Sequence, residues 1–210
     1  MKTSEHPIFL ESLKYIRSQI GLTGLNCLQQ SVLERIIHAS GDISMQSYLR
    51  FSSNACEIAI DALKNGANIL TDTYMAEAAV SSVAQRTLNS KVQCILEEAP
   101  KFIDSSSITR SSIGMQKIWL DIEKNEDCFV GPVVVIGSAP SALMTLLDLM
   151  QKGTKRPSLI IGMPVGFIGV SQCKNRLLNS DFAHIVLEGS RGGASLAAAT
   201  VNALLRASDY

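Results

Sequence analysis

The sequence has no excess charge of either sign: 19 lysines and arginines stand against 19 aspartates and glutamates in 210 residues. Such a balance offers no basic footprint for nucleic acid or for an anionic membrane surface. Long apolar runs are missing too. The most apolar stretches, residues 132–136 and 159–161, have strand length and fall far short of a bilayer span. The first twenty residues carry charges throughout, so no secretory signal is expected and the protein is placed in the cytoplasm. The five cysteines, Cys27, Cys56, Cys94, Cys128 and Cys173, lie tens of residues apart without a CxxC pair. That excludes a disulfide framework and reads as reduced thiols, with Cys56, Cys94 and Cys128 in apolar or periodic settings that predict burial. Only three histidines occur, and neither they nor the cysteines show the paired spacing of a metal site. GxGxxG, a Gly-rich loop ending in GK[ST], and the GxSxG elbow are all absent, which removes the usual parts of nucleotide binding and serine hydrolysis.

What is present is an ordinary globular composition, 46% hydrophobic and 18% charged. A chain of this length predicts one domain, residues 1–210, burying roughly 70% of the surface its unfolded form exposes. Short β-branched runs occupy residues 68–72, 91–97, 132–138, 158–165 and 183–188, and the two most apolar read as strands covered on both faces. Helical patterns lie at 51–65, 73–88, 105–122, 139–151, 170–178 and 194–205. The alternation predicts a doubly wound, three-layer α/β/α fold with a mainly parallel five-stranded sheet. Residues 7–20 and 27–38 read as two helices without a strand, the second with Leu28, Val32 and Ile36 on one stripe. They form a helical lead-in packed on the sheet or on a second subunit. The charged stretch 121–127 reads as a solvated loop.

In a doubly wound sheet, ligands gather at the carboxyl ends of the strands. Three of these junctions are rich in small residues: Gly137-Ser138-Ala139-Pro140-Ser141, Gly162-Met163-Pro164-Val165-Gly166-Phe167-Ile168-Gly169 and Gly189-Ser190-Arg191-Gly192-Gly193. In the first, Ser138 suits a helix cap and Pro140 the first turn, leaving backbone N–H groups open to an anion. Each loop read singly is also what a tight turn requires; the three together point to a binding edge. Among the histidines, His6 lies near the N-terminus and His184 inside a strand. His38 ends a helix, where backbone carbonyls favour the imidazolium, which suits a proton donor; helix capping is the competing role. Arg110 starts a helix among hydroxyl residues and by itself reads first as a solvated surface arginine.

These residues fall into ordered motifs: Arg35-Ile36-Ile37-His38-Ala39-Ser40-Gly41-Asp42, Thr109-Arg110-Ser111, Ile136-Gly137-Ser138-Ala139-Pro140-Ser141-Ala142-Leu143, the Gly162 to Gly169 segment, Arg191-Gly192-Gly193 and Val201-Asn202-Ala203-Leu204. In this order, and over essentially the whole chain, the sequence resembles the precorrin-8X methylmutase (cobalt-precorrin-8 methylmutase, precorrin isomerase) family of cobalamin biosynthesis. The resemblance implies an intramolecular isomerisation that moves a methyl group from carbon 11 to carbon 12 of ring C of a corrinoid tetrapyrrole. It implies His38 as the catalytic residue and Ser12 as a substrate contact. It implies a corrinoid site along Arg110, Gly137, Ser138, Ala139, Ser141, Gly166, Arg191 and Gly192, and a homodimer. No protein-held metal or cofactor is implied; cobalt, if present, travels with the substrate. The chain departs from the family pattern at Ser138 and Ser141, which replace Asn and Thr, at Gln172-Cys173 before Lys174, which replace Glu-Ser, and around Ser190. A corrinoid carrier using the same pocket without turnover, and a nucleotide-dependent transferase of similar fold, are the competing readings. The intact His38 speaks against the first and the missing glycine fingerprint against the second.

Overall fold

The computed structural model describes residues 6–103, 108–125 and 130–208. Strands β1 (Leu49–Phe51), β2 (Ile69–Thr71), β3 (Val92–Cys94), β4 (Val133–Ile136), β5 (Leu159–Gly162) and β6 (His184–Leu187) form one sheet in the spatial order β1-β6-β5-β4-β2-β3. All neighbours are parallel except β1, which runs antiparallel to β6 with Leu49 opposite Leu187 and Phe51 opposite Ile185. The doubly wound fold is as expected, but the sheet has six strands rather than five. The additional strand is three residues long with a charge in the middle, and by sequence its Phe51 belongs to the helical pattern that follows. Its Arg50 forms a 2.6 Å ion pair with Glu188, just past β6, while Leu49 is buried, the half-covered pattern of an antiparallel edge.

The central strands are buried on both faces because each side carries its own core. Val133, Val135, Leu159, Ile161, Ile185 and Leu187 point to one layer; Val134, Ile136, Ile160 and Val186 point to the other. Against the first face pack α3 (Ala55–Lys64), α4 (Tyr74–Arg86) and α8 (Ala194–Ala207). Against the second pack α5 (Arg110–Lys124), α6 (Pro140–Gln151) and α7 (Val170–Leu178). The lead-in adds an outer tier: α2 (Cys27–Ser40) packs on α8 and α3, and α1 (Pro7–Ile20) packs on α2. An Asn26–Gln29 capping box starts α2, and Arg17 of α1 holds Glu34 of α2 through two bonds of 2.7 and 2.9 Å.

Several boundaries moved for local reasons. Helix α3 starts only after Asn54, which adopts a positive φ. Helix α5 starts at Arg110 behind the Thr109 cap; residues 105–107 of the expected helix lie outside the described residues. Residues 121–124, expected in a solvated loop, are instead the last turn of α5, because Ile118 and Trp119 bury its inner face and the charges occupy the outer one. The rest of that stretch lies outside the described residues except Asn125, and Cys128 lies outside them too. Cys56, Cys94 and Cys173 are buried and Cys27 is exposed. Burial pushes the Cys56 thiol up to about 12 and the Cys173 thiol to about 11, so both stay protonated. Among the described residues no helix is long and apolar enough to cross a membrane.

His184 is 5% exposed, as its place inside β6 requires, with Nδ1 2.8 Å from the Phe182 carbonyl oxygen. Burial holds its pKa below the ordinary 6.5, outweighing that hydrogen bond. The unfolded chain therefore takes up this proton first as pH falls. The stability that neutral His184 contributes is fully present above the unfolded pKa and is lost as pH drops through it toward the folded pKa. Urea unfolding at about pH 8 and about pH 5 should show this loss in the wild type and less of it in His184→Gln; equal slopes in the two proteins would refute it.

Candidate active site

The direction of winding reverses between β2 and β4. From β4 the chain steps to β5 and β6 with helices on the second face, whereas from β2 it steps to β3 with α4 on the first. That crevice is where doubly wound sheets place their ligands. Here β2 runs into Asp72, which is 0% exposed. Its Oδ1 accepts the N–H of Gly137 at 3.1 Å, and its Oδ2 accepts those of Ser138 at 2.6 Å and Ala139 at 2.7 Å. Burial pushes the Asp72 carboxyl above the usual carboxylate range, and the three N–H donors oppose that rise. The N–H groups expected to await an external anion are thus already satisfied by the chain itself. Ser138 does not cap the helix either: Ala139 is the N-cap, without a side-chain bond, and Pro140 opens α6 as expected. Asp72 was missed; its one sequence signal is an acidic residue directly after a buried strand.

The three glycine-rich loops are laced to one another. Val165 N–H donates to the Gly137 carbonyl at 3.2 Å, Gly166 N–H to Ser190 at 3.0 Å, and Gly193 N–H to Met163 at 2.9 Å. A Cβ on Gly137 would lie 2.5 Å from the Ala194 Cα, and one on Gly192 would lie 2.1 Å from the Met163 carbonyl oxygen. The close approach these glycines permit is therefore of backbone to backbone, which gives the edge one shape.

On the second-face side, Thr109 caps α5 and its hydroxyl meets that of Ser141 at 2.7 Å. Together with Ser112, Asp148, Ile168 and Gln172 they line an open cleft of about 440 Å³ at the starts of α5, α6 and α7. Arg110 stands beside this cleft, half-buried, with its Nε–H donated to the Pro100 carbonyl at 2.8 Å. On the first-face side, His38 is exposed in the last turn of α2. Its ring meets Phe9 of α1 edge-on at 4.9 Å, and the Arg35 guanidinium covers the same Phe9 at 3.9 Å. Ser12 lies one turn beyond Phe9, its hydroxyl donating to the Ile8 carbonyl at 3.0 Å. Arg191 ties this region to the loops: its Nη1 donates to Asp42 at 2.6 Å and to Ser44 at 2.5 Å, with Tyr48 packed 5.1 Å from the guanidinium. Hydrogen bonds from Ser44, with a smaller contribution from the Arg191 charge, hold the Asp42 carboxyl below its ordinary range. The structure thus joins Gly137, Ser138, Ala139, Gly166, Arg191 and Gly192 in one laced edge. It hangs His38 from that edge through Asp42 and places Ser141 and Arg110 on the opposite flank. A second residue the sequence did not disclose is Lys174, buried on α7 with its ammonium on loop carbonyls. The available signal was a lysine in the apolar stripe of Val170, Cys173 and Leu177.

A family model described as precorrin-8X methylmutase matches residues 7–207. The chain belongs to the precorrin-8X methylmutase family. It is 33% identical to the cobalt-precorrin-8 methylmutase of Synechocystis sp., over 96% of this chain and 95% of that protein. It is 35% identical to the precorrin-8X methylmutase of Pseudomonas aeruginosa, over 94% and 93%. The crystal structure of the precorrin-8X methyl mutase from Thermus thermophilus superposes with a TM-score of 0.86 at 30% identity, covering 96% of this chain and 95% of that one. Membership makes the protein a methylmutase, an isomerase of cobalamin biosynthesis.

For this methylmutase the Asp72 contact is open to test. Asp72→Ala strands the buried Gly137 N–H, a loss of about 1–3 kcal/mol when left unpaired, and the partly exposed N–H groups of Ser138 and Ala139, which water can reach at smaller cost. We expect a loss of a few kcal/mol in urea unfolding and a smaller loss for Asp72→Asn, which keeps one acceptor; an unchanged midpoint in Asp72→Ala would show that the loop is held by other means. Gly137→Ala should likewise cost a few kcal/mol, because the backbone of α8 cannot yield to the added Cβ; thermal unfolding no different from wild type would contradict the close packing.

Proposed function

We propose that this protein moves the methyl group at carbon 11 of ring C to carbon 12 in precorrin-8X or cobalt-precorrin-8, giving hydrogenobyrinate or cobyrinate, with His38 handling the proton. The observation that carries this reading is an exposed imidazole at a helix end, tied to the sheet's ligand edge through Asp42 and Arg191. A 1,5-sigmatropic methyl shift leaves the atom count and oxidation level unchanged, so it calls for no redox cofactor and no protein-held metal. It is assisted by protonating a ring nitrogen, which lets the conjugated system rearrange, and by taking the proton back afterwards. A single imidazole, which can both give and take a proton, serves both steps.

The surroundings suit a large, flat, polycarboxylate substrate. Val165, Phe167 and Ile168 stand exposed on the loop before α7, Phe167 at 90%, and offer an apolar floor for the macrocycle. Arg110 and Arg191 supply guanidinium groups on the two flanks for peripheral carboxylates, and the hydroxyls of Ser12 and Ser141 supply further polar contacts. Because Asp72 occupies the N–H groups of residues 137–139, the substrate's carboxylates meet side chains there rather than that helix start. A homodimer in the cytoplasm completes the proposal: Ile8, Tyr15 and Leu22 leave an apolar outer face on and beside α1 that a second copy would cover.

The test is an anaerobic incubation of the purified protein with cobalt-precorrin-8 and, separately, with metal-free precorrin-8X, followed by absorbance. Conversion to the product chromophore is expected with one or both. His38→Ala should lose at least about a hundredfold in rate, the scale of general acid–base assistance, while still binding product. Retained turnover in His38→Ala would overturn the role of His38, and tight binding without conversion in either form would identify a carrier.

A further inference from the structure

Lys174 lies in the buried stripe of α7 and is 1% exposed. Among the described residues its ammonium forms no ion pair. Instead Nζ donates to two main-chain carbonyls, Gly189 at 2.8 Å and Arg191 at 2.6 Å. Burying a lysine whole is costly, and a methionine would fill the same space without that cost. The lysine therefore serves the two carbonyls. They belong to a segment with little shape of its own: Gly189, Gly192 and Gly193 all take positive φ, at 74°, 158° and 129°. A stretch with three such glycines needs outside restraint to hold one conformation, and Lys174 bridges two of its carbonyls from inside the core.

What the bridge fixes is the origin of the Arg191 side chain. From there the guanidinium reaches Asp42 and Ser44, and Asp42 follows Gly41, the residue that ends the His38 helix. The line of contacts starts in the helix layer on the second face of the sheet, rounds the carboxyl end of β6, and finishes on the lead-in tier of the first face. It adds a side-chain tie to the packing of α2 on α8 and to the Glu188 N–H bond to the Tyr48 carbonyl at 2.8 Å, which already bring the lead-in to the end of β6. We propose that Lys174 is a positioning residue: by stapling the segment between β6 and α8 it sets Arg191 against Asp42, and so sets His38 for the methyl shift without touching the substrate. This rests on the assignment of the proton transfer to His38.

Lys174→Met should leave the protein folded and lower kcat by about tenfold to a hundredfold, the cost of displacing a reacting group by an ångström or less. KM and product Kd should change less than kcat, because Lys174→Met removes no substrate contact of its own and only shifts the segment that bears Arg191. Asp42→Asn, at the exposed end of the same line, should lower kcat in the same way with no change to the core. The double variant should be no slower than about the slower single one, since both substitutions cut one line, whereas independent structural damage would multiply. The His38 signal in a spectrum of ¹⁵N-histidine protein should shift in both single variants and stay unmoved in a surface control, Lys152→Met. Unchanged kcat in folded Lys174→Met, unchanged kcat in Asp42→Asn, multiplying losses, or global unfolding of Lys174→Met would each overturn the proposal. His38→Ala separates the two claims: if it retains turnover the His38 assignment fails, and if it is inactive while Lys174→Met is fully active only the role of Lys174 fails.

Discussion

The buried carboxyl of Asp72 gathers three N–H groups from residues 137–139 and so ties the end of β2 to the loop after β4. The contact sits where the sheet reverses its winding, between β2 and β4, at the place a fold of this kind leaves open for a ligand. Filling that place from within has two consequences. The loop after β4 is held against the start of α8, so that Gly137 has no room for a side chain. The N–H groups of residues 137–139, for their part, are turned to a carboxylate of the chain and not to an outside anion.

The second constraint is the attachment of the lead-in. The outer tier of α1 and α2 carries Ser12 and His38 but packs on other helices rather than on the central strands. Two charged contacts of different character hold it. Glu34 is almost wholly buried while Arg17 is mostly exposed, so losing the arginine leaves a buried carboxylate without its cation, whereas losing Glu34 leaves an arginine that water solvates. Arg191 and Asp42 are both partly exposed, and a pair of that kind contributes about 1 kcal/mol or less to stability. The first contact therefore fixes the tier to itself, while the second sets where its end meets the loops. Weak in energy, the second is still the contact through which geometry passes.

Much of this was legible in the residues. The runs PVVVIG and LIIG announce strands covered on both faces because only such strands tolerate unbroken apolar sequence. The proline at position 140 marks a helix start through its fixed φ and its dispensable N–H, which need no tertiary context. The ordered motifs around His38, Arg110, Gly137, Gly166 and Arg191 carried the family. Other features left no local trace. Leu49-Arg50-Phe51 is too short to show a period and becomes a strand only because the edge of β6 is there to pair with it. Asp121 to Lys124 read as a loop by charge, yet the buried Ile118 and Trp119 one turn earlier carry the helix through them.

The sequence by itself determined the alternation of strands and helices, the lead-in, the small-residue loops and the family, because each is written in neighbouring residues or in their order. Tertiary structure alone decided what those loops bind. Asp72 and Gly137 are 65 residues apart, Lys174 and Arg191 are 17 apart, and Arg191 and Asp42 are 149 apart. Whether a backbone N–H faces a ligand or a carboxylate of its own chain, and whether an arginine is free or tied, depends on which distant residue folding brings within about 3 Å. Such distances are set by the packing of layers, and no periodicity along the chain records them.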